Sequence, residues 1–197
     1  MTAKRNEPGR VFLIVTGGIA VYKACDVVRE LRHSSETVQV VLTRETTQFV
    51  TAMTFETLAN RRVFTEILPG VTDGEIDHIR LGREANVVGV VPATANFIAK
   101  MHAGIADDLA SATLLALPRT VPLLVAPAMN REMWSHPVTQ RNLRELKELL
   151  APRLHLLEPV EKELACGEFG PGGLPEPAAI AAAFRALMPA RRANASG

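Results

Sequence analysis

Short apolar runs alternate with helically spaced stretches along almost the whole chain. VFLIVT at 11–16, VQVVLT at 38–43, ANVVGVVPAT at 85–94, VPLLVAPAM at 121–129 and LHLLEP at 154–159 are the apolar runs. Strands covered on both faces read this way, without a strict polar alternation. Between them, Ile19 to about His33 has helical spacing through Val21, Ala24, Val27, Val28 and Leu31. TTQFV and FETLAN read as short helical pieces. Helices are expected around 95–103, 107–117 and 136–150, and PAAIAAAFRALM at 177–188 closes the chain. Strands separated by helices predict an α/β protein with a parallel sheet sandwiched between helical layers. In such sheets ligands bind at the carboxyl ends of the strands.

Residues 1–197 form one domain on this pattern, with an ordered core over about 10–188 and tails at 1–9 and 189–197. One Pro/Gly-rich segment, about 159–177, interrupts the periodicity. Its glycines and prolines oppose regular structure and predict a flap.

Composition adds exclusions. With 47% apolar and 22% charged residues and a formal net charge of +1, the chain has no basic footprint for nucleic acid. No apolar run reaches the length of a membrane span, and MTAKRNEPGR lacks the apolar region of a secretory signal. Cys25 and Cys166, the two cysteines, are too few for a disulfide framework, so a reducing, cytoplasmic setting is expected. The five histidines show no metal-ligand spacing, and no metal is expected.

Candidate chemistry sits just after the strands. Thr16-Gly17-Gly18-Ile19-Ala20 lets backbone approach a ligand and offers helix N–H groups to an anion; it is equally a tight strand-to-helix turn. Thr43 can meet a ligand or cap a helix. Thr94, Ala95 and Asn96 can admit a flat ring and bond its edge, or form a capped loop. Asn130, in Ala128-Met129-Asn130-Arg131-Glu132-Met133-Trp134, favours a ligand role, since an amide donates to a carboxylate without adding charge. His78 is a general base or a packed residue between Ile76 and Ile79. Cys166 lies in the flap and reads as a functional group on a lid or an incidental thiol, whereas Cys25 reads as core.

Taken in order, these segments resemble the homo-oligomeric flavin-containing cysteine decarboxylases. TGGIAVYK at 16–23 is similar to the family's opening turn, DHIRL at 77–81 to its histidine segment and PATANF at 92–97 to its PASANT motif. PAMNREMW at 127–134 fits the PxMNxxMW clamp, and ACGEFGPGGLPEP at 165–177 resembles the cysteine-bearing flap. The resemblance implies a single Rossmann-like (flavodoxin-like) three-layer domain that binds FMN. Its implied cofactor residues are Gly17, Gly18, Ile19, Thr43, Thr94, Ala95, Asn96 and Ala128. It implies His78 as the base, Cys166 as the closing acid, and Asn130, Met133 and Ala165 as substrate contacts. The implied activity is decarboxylation of 4′-phosphopantothenoylcysteine to 4′-phosphopantetheine in coenzyme A biosynthesis, in a cytoplasmic homo-oligomer, a trimer or a dodecamer.

Two positions depart from the pattern: Phe97 replaces a hydroxyl, and Gly173 stands where many bacterial relatives carry Arg. The alternative within the resemblance is a peptidyl-cysteine decarboxylase acting on a peptide's C-terminal Cys; such enzymes stop at the ene-thiol and need no acidic thiol, so Cys166 favours the first reading. A flavin prenyltransferase lacks the clamp. A non-catalytic regulatory subunit of the family carries acidic extensions that are not present in this sequence.

Overall fold

The computed structural model describes residues 9–34, 36–65, 82–163, 167 and 169–189. His78, Ala165 and Cys166 lie outside the described residues. Five parallel strands form the central sheet: β1 (Arg10–Val15), β2 (Thr37–Leu42), β3 (Val87–Ala93), β4 (Leu123–Pro127) and β5 (Leu154–Leu156), in the order β2-β1-β3-β4-β5. Every strand predicted from an apolar run is present: β1 and β2 are displaced by one residue, and β3, β4 and β5 are shorter than their runs.

Both faces of the sheet are covered, as the unbroken apolar runs require. Val11, Leu13 and Val15 of β1 face one core with Val27, Phe55 and Phe184. Phe12 and Ile14 face the other with Phe97, Leu109 and Leu143. Helices α1 (Val21–His33), α2 (Ala52–Ala59) and α7 (Pro177–Leu187) supply the first layer. Helices α3 (Ala95–Ala103), α4 (Leu109–Leu115) and α6 (Pro137–Leu149) supply the second. In α1 the residues at helical spacing, Val21, Ala24, Val27, Val28 and Leu31, are the buried ones. Each Val or Leu side chain among them is worth roughly 1.5–3 kcal/mol on full burial. Cys25 is half-buried and packs against this core, and burial pushes its thiol up.

Local chemistry sets several boundaries. Asp108 and Ser111 form a reciprocal capping box, so α4 starts later than periodicity predicts. The stretch after β4 holds two helices, α5 (Arg131–Ser135) and α6, because a residue preceding proline is driven out of helical geometry. His136 is extended there (φ −59°, ψ 130°), and Pro137 opens α6.

The Pro/Gly-rich segment corrects the expectation of irregular structure. Within it β6 (Val160–Glu163) and β7 (Phe169–Gly173) pair antiparallel. Glycine supplies what β7 needs: Gly172 has φ +135°, and a Cβ there would lie 2.2 Å from the Met129 carbonyl oxygen. The hairpin thus lies against the end of β4 closer than a side chain would allow.

Candidate active site

The strand ends that carry the candidate chemistry converge on one cleft. It holds about 590 Å³, within the roughly 300–1,000 Å³ common for cofactor and small-ligand sites. Gly17, Gly18, Ile19, Thr94, Ala95, Ala128, Asn130 and Met133 all line it. Two predicted residues are placed elsewhere. Thr43 is buried with its hydroxyl 3.2 Å from that of Thr46, and Asn96 is exposed on α3 away from the lining.

The floor is cross-tied by a buried hydroxyl. Thr16 Oγ1 donates to the Pro92 carbonyl at 2.7 Å and accepts from the Thr94 N–H at 3.0 Å. The ends of β1 and β3 are thereby locked to each other. The Ala128 N–H donates to the Ala93 carbonyl at 3.1 Å and brings in β4. Thr94 also caps α3, accepting from the Phe97 N–H at 3.2 Å. The Phe97 ring points into the core and is 2% exposed, so the departure at this position serves packing.

The turn after β1 is shaped by packing as well as by exposure to the cleft. A Cβ on Gly17 would sit 2.7 Å from the Glu45 backbone, in the 3-10 turn over Arg44–Gln48. Val21 N–H donates to Gly18 O and Lys23 N–H to Ala20 O. The N–H groups of Gly18, Ile19 and Ala20 donate to no backbone partner among the described residues. They line the cleft and are donors of the kind a helix start can offer to an anion.

On the opposite side, Asn130 is the N-cap of α5. Its Oδ1 accepts from the Met133 N–H at 2.8 Å. That fixes the amide and leaves its two N–H donors for a ligand, the polarity a carboxylate requires. The hairpin closes this side through the Met129 N–H, which donates to Gly172 O at 3.0 Å.

Two lysines missing from the sequence-based set also line the cleft, Lys23 and Lys162. Lys23 Nζ donates to Glu176 Oε1 at 2.8 Å. Burial draws the Lys23 ammonium down, but its bond with the Glu176 carboxylate prevails and holds it above the ordinary lysine value. The Lys23 ammonium in turn holds the Glu176 carboxyl below its usual range. Lys23 lies inside TGGIAVYK, and Lys162 four residues before Cys166. Those placements were the available signals; charge alone on a helix or strand reads as a solvated face. Among the described residues no group of three or more His, Cys, Asp or Glu is placed to hold a metal. No helix among them is long and apolar enough to cross a membrane.

An open parallel sheet with a glycine turn and small residues at its strand ends defines the class, a nucleotide-binding α/β domain. The chain belongs to the Flavoprotein family, whose model matches residues 2–188. It is 42% identical over 179 residues to the coenzyme A biosynthesis bifunctional protein CoaBC of Mycolicibacterium smegmatis, covering 91% of this chain and 42% of that protein. The chain therefore spans less than half the length of the curated relatives it matches. Among solved structures it resembles a PPC decarboxylase mutant complexed with pantothenoylaminoethenethiol (TM-score 0.83, 30% identity, 92% of this chain and 98% of that one). It also resembles the FMN binding protein AtHal3 (TM-score 0.79, 31% identity, 92% and 97%).

Proposed function

We propose that the chain catalyses FMN-dependent decarboxylation of 4′-phosphopantothenoylcysteine to 4′-phosphopantetheine, a step of coenzyme A biosynthesis. The observation that carries this reading is Asn130. Its oxygen is tied by Met133 and its N–H donors face the same cleft as the glycine turn, so carboxylate and cofactor sites adjoin. The likeness to CoaBC and PPC decarboxylase supports the choice of substrate.

The cleft fits FMN. Backbone N–H groups at Gly18 and Ile19 suit its phosphate. Thr94, Ala95 and Ala128 offer small walls and a hydroxyl to the ring, and a Cβ on Gly18 would only reach ordinary contact with Thr94, at 3.6 Å. Thr43 and Asn96, which lie off the lining, have supporting rather than direct contact in this reading. When bound, the cofactor would accept a hydride as the cysteine thiol becomes a thiocarbonyl, the electron sink that a simple cysteine lacks, and would return it to give the saturated thiol. Asn130 holds the substrate carboxylate, and Met133 and Ala165 are the further substrate residues of this reading. His78 moves protons as general base, an effect typically worth about 10²–10⁴-fold. Cys166 protonates the ene-thiolate left after carbon dioxide departs.

The reading extends to a homo-oligomer, trimer or dodecamer, in the cytoplasm. Ile19 and Tyr22, exposed apolar residues at the cleft, support a subunit contact there, which light scattering on the purified protein tests.

The test is incubation with phosphopantothenoylcysteine and mass spectrometry of the product. Wild type is expected to lose carbon dioxide and release the saturated thiol. Cys166→Ser is expected to release carbon dioxide but accumulate a product two hydrogens lighter. Saturated product at the wild-type rate from that variant would remove Cys166 from its role; no turnover by wild type would remove the proposal.

A further inference from the structure

Lys162 and Lys23 reach one cleft from different elements, β6 and the first turn of α1, and their charges are unequally committed. Lys23 is paired with Glu176. Lys162 Nζ donates to the Leu174 carbonyl, at 3.1 Å, lies beside the Lys23 amine, and forms no ion pair among the described residues. Its stem lies across Gly173, where a Cβ would come within 2.3 Å of Lys162 Cε. Glycine at 173 therefore lets the lysine lie along the hairpin and reach the cleft. Burial first, and then the Lys23 amine, push the Lys162 ammonium below its ordinary range, against the pull of Glu176. Two neighbouring ammonium groups raise each other's energy, and a dianion between them reverses that cost. The other charged residue of the lining, Glu163, is exposed at the hairpin edge. A lysine pair is a compact point-charge site with rotatable donors, suited to a phosphate monoester.

We infer that Lys162, with Lys23 beside it, selects a substrate bearing a phosphate monoester over the same compound without it. The inference rests on the decarboxylase reading. A phosphate monoester has two sources here, substrate and flavin. The flavin phosphate has the N–H groups of the glycine turn. Lys162 stands on the hairpin that touches Met129, on the Asn130 side of the cleft, so the substrate is its source.

The experiment uses FMN-loaded enzyme with phosphopantothenoylcysteine and with pantothenoylcysteine. Wild type is expected to favour the phosphorylated compound at least tenfold in kcat/KM. Lys162→Met, which keeps the apolar stem, lowers that ratio about ten- to hundredfold, the scale of a hydrogen bond to a charged group. Lys162→Arg keeps most of it. FMN affinity, read by fluorescence titration of the apoprotein, shifts less than threefold in Lys162→Met. Equal use of both compounds by wild type, or an equal fall for both in Lys162→Met, overturns the inference while the decarboxylase reading stands. A tenfold loss of FMN affinity with the substrate ratio intact assigns the lysine to the flavin and overturns it too. Wild type that decarboxylates neither compound ends both readings.

Discussion

The two walls of the cleft are built by opposite means. One is the set of strand ends at Thr16, Pro92, Thr94 and Ala128, where a buried hydroxyl and backbone bonds tie β1 to β3 and β3 to β4. The other is the β6–β7 hairpin, where Phe169 is 69% exposed and only a few residues are buried. The first wall inherits its rigidity from the sheet. The second is attached through the close approach of Gly172 to Met129 and anchored below by the buried Leu174. A segment with few buried contacts opens at lower free energy than the core around it. The difference separates a wall held by the sheet from one held by a single close approach and a few buried residues.

Two substitutions test this difference between the walls, and a third tests a helix cap outside them. Gly172→Ala attacks the hairpin alone. The new Cβ meets the Met129 oxygen and the backbone must leave φ +135°, so the hairpin lifts while the sheet persists. Turnover is expected to fall by about a hundredfold or more, on the view that misplacing a positioning element by about 1 Å costs that much. FMN binding and the circular dichroism spectrum should stay near wild type. Turnover within twofold of wild type would show that hairpin docking is dispensable.

Thr16→Val attacks the rigid wall. It leaves the Pro92 carbonyl and the Thr94 N–H without their hydroxyl partner, at a cost of about 1–3 kcal/mol. A chain of this size should lose about 2–4 °C of Tm per kcal/mol. Flavin affinity should weaken in parallel, and Thr16→Ser should restore both. A Thr16→Val protein with unaltered melting and flavin titration would contradict the cross-tie.

The smallest effect tests a cap outside both walls. Asp108→Ala removes the α4 capping box and the contact with Lys100, about 1 kcal/mol. Burial pushes the Asp108 carboxyl up, but the Ser111 donors and Lys100 outweigh it and hold it below the ordinary carboxylate value. A depressed folded value means that this stability is fully present above about pH 4, the unfolded value, and is lost as pH falls through the folded one. The melting difference between Asp108→Ala and wild type should therefore shrink in acid. A difference that stays constant to pH 2 would assign the stability to packing.

Legibility followed the range of the interaction. The apolar runs exposed all five strands of the main sheet, since a strand covered on both faces has no polar side to hide. Asn130 was legible because a polar residue directly after a buried strand has to face the crevice. The hairpin was not, because its glycines and prolines oppose strand structure locally and only the pairing of Val160–Glu163 with Phe169–Gly173 overrides them. Lys162 was hidden for the same reason: its place in the cleft depends on that pairing.

By itself, the sequence determined the parallel α/β layering, the positions of the strand ends and the ordered motifs that mark the chain as a flavoprotein. These follow from periodicity and from residue types at fixed spacing, which are properties of neighbours along the chain. The tertiary structure alone decided which strand ends meet, that Thr16 joins β1 to β3 across 76 residues, and that Gly89 must be bare where the Phe184 ring would lie 2.1 Å from a Cβ. It also decided that the Thr43 hydroxyl is buried against Thr46, outside the cleft lining, while Lys23 and Lys162 join that lining. Such choices depend on packing between distant segments, whose sequences carry no local trace of the partner each will meet.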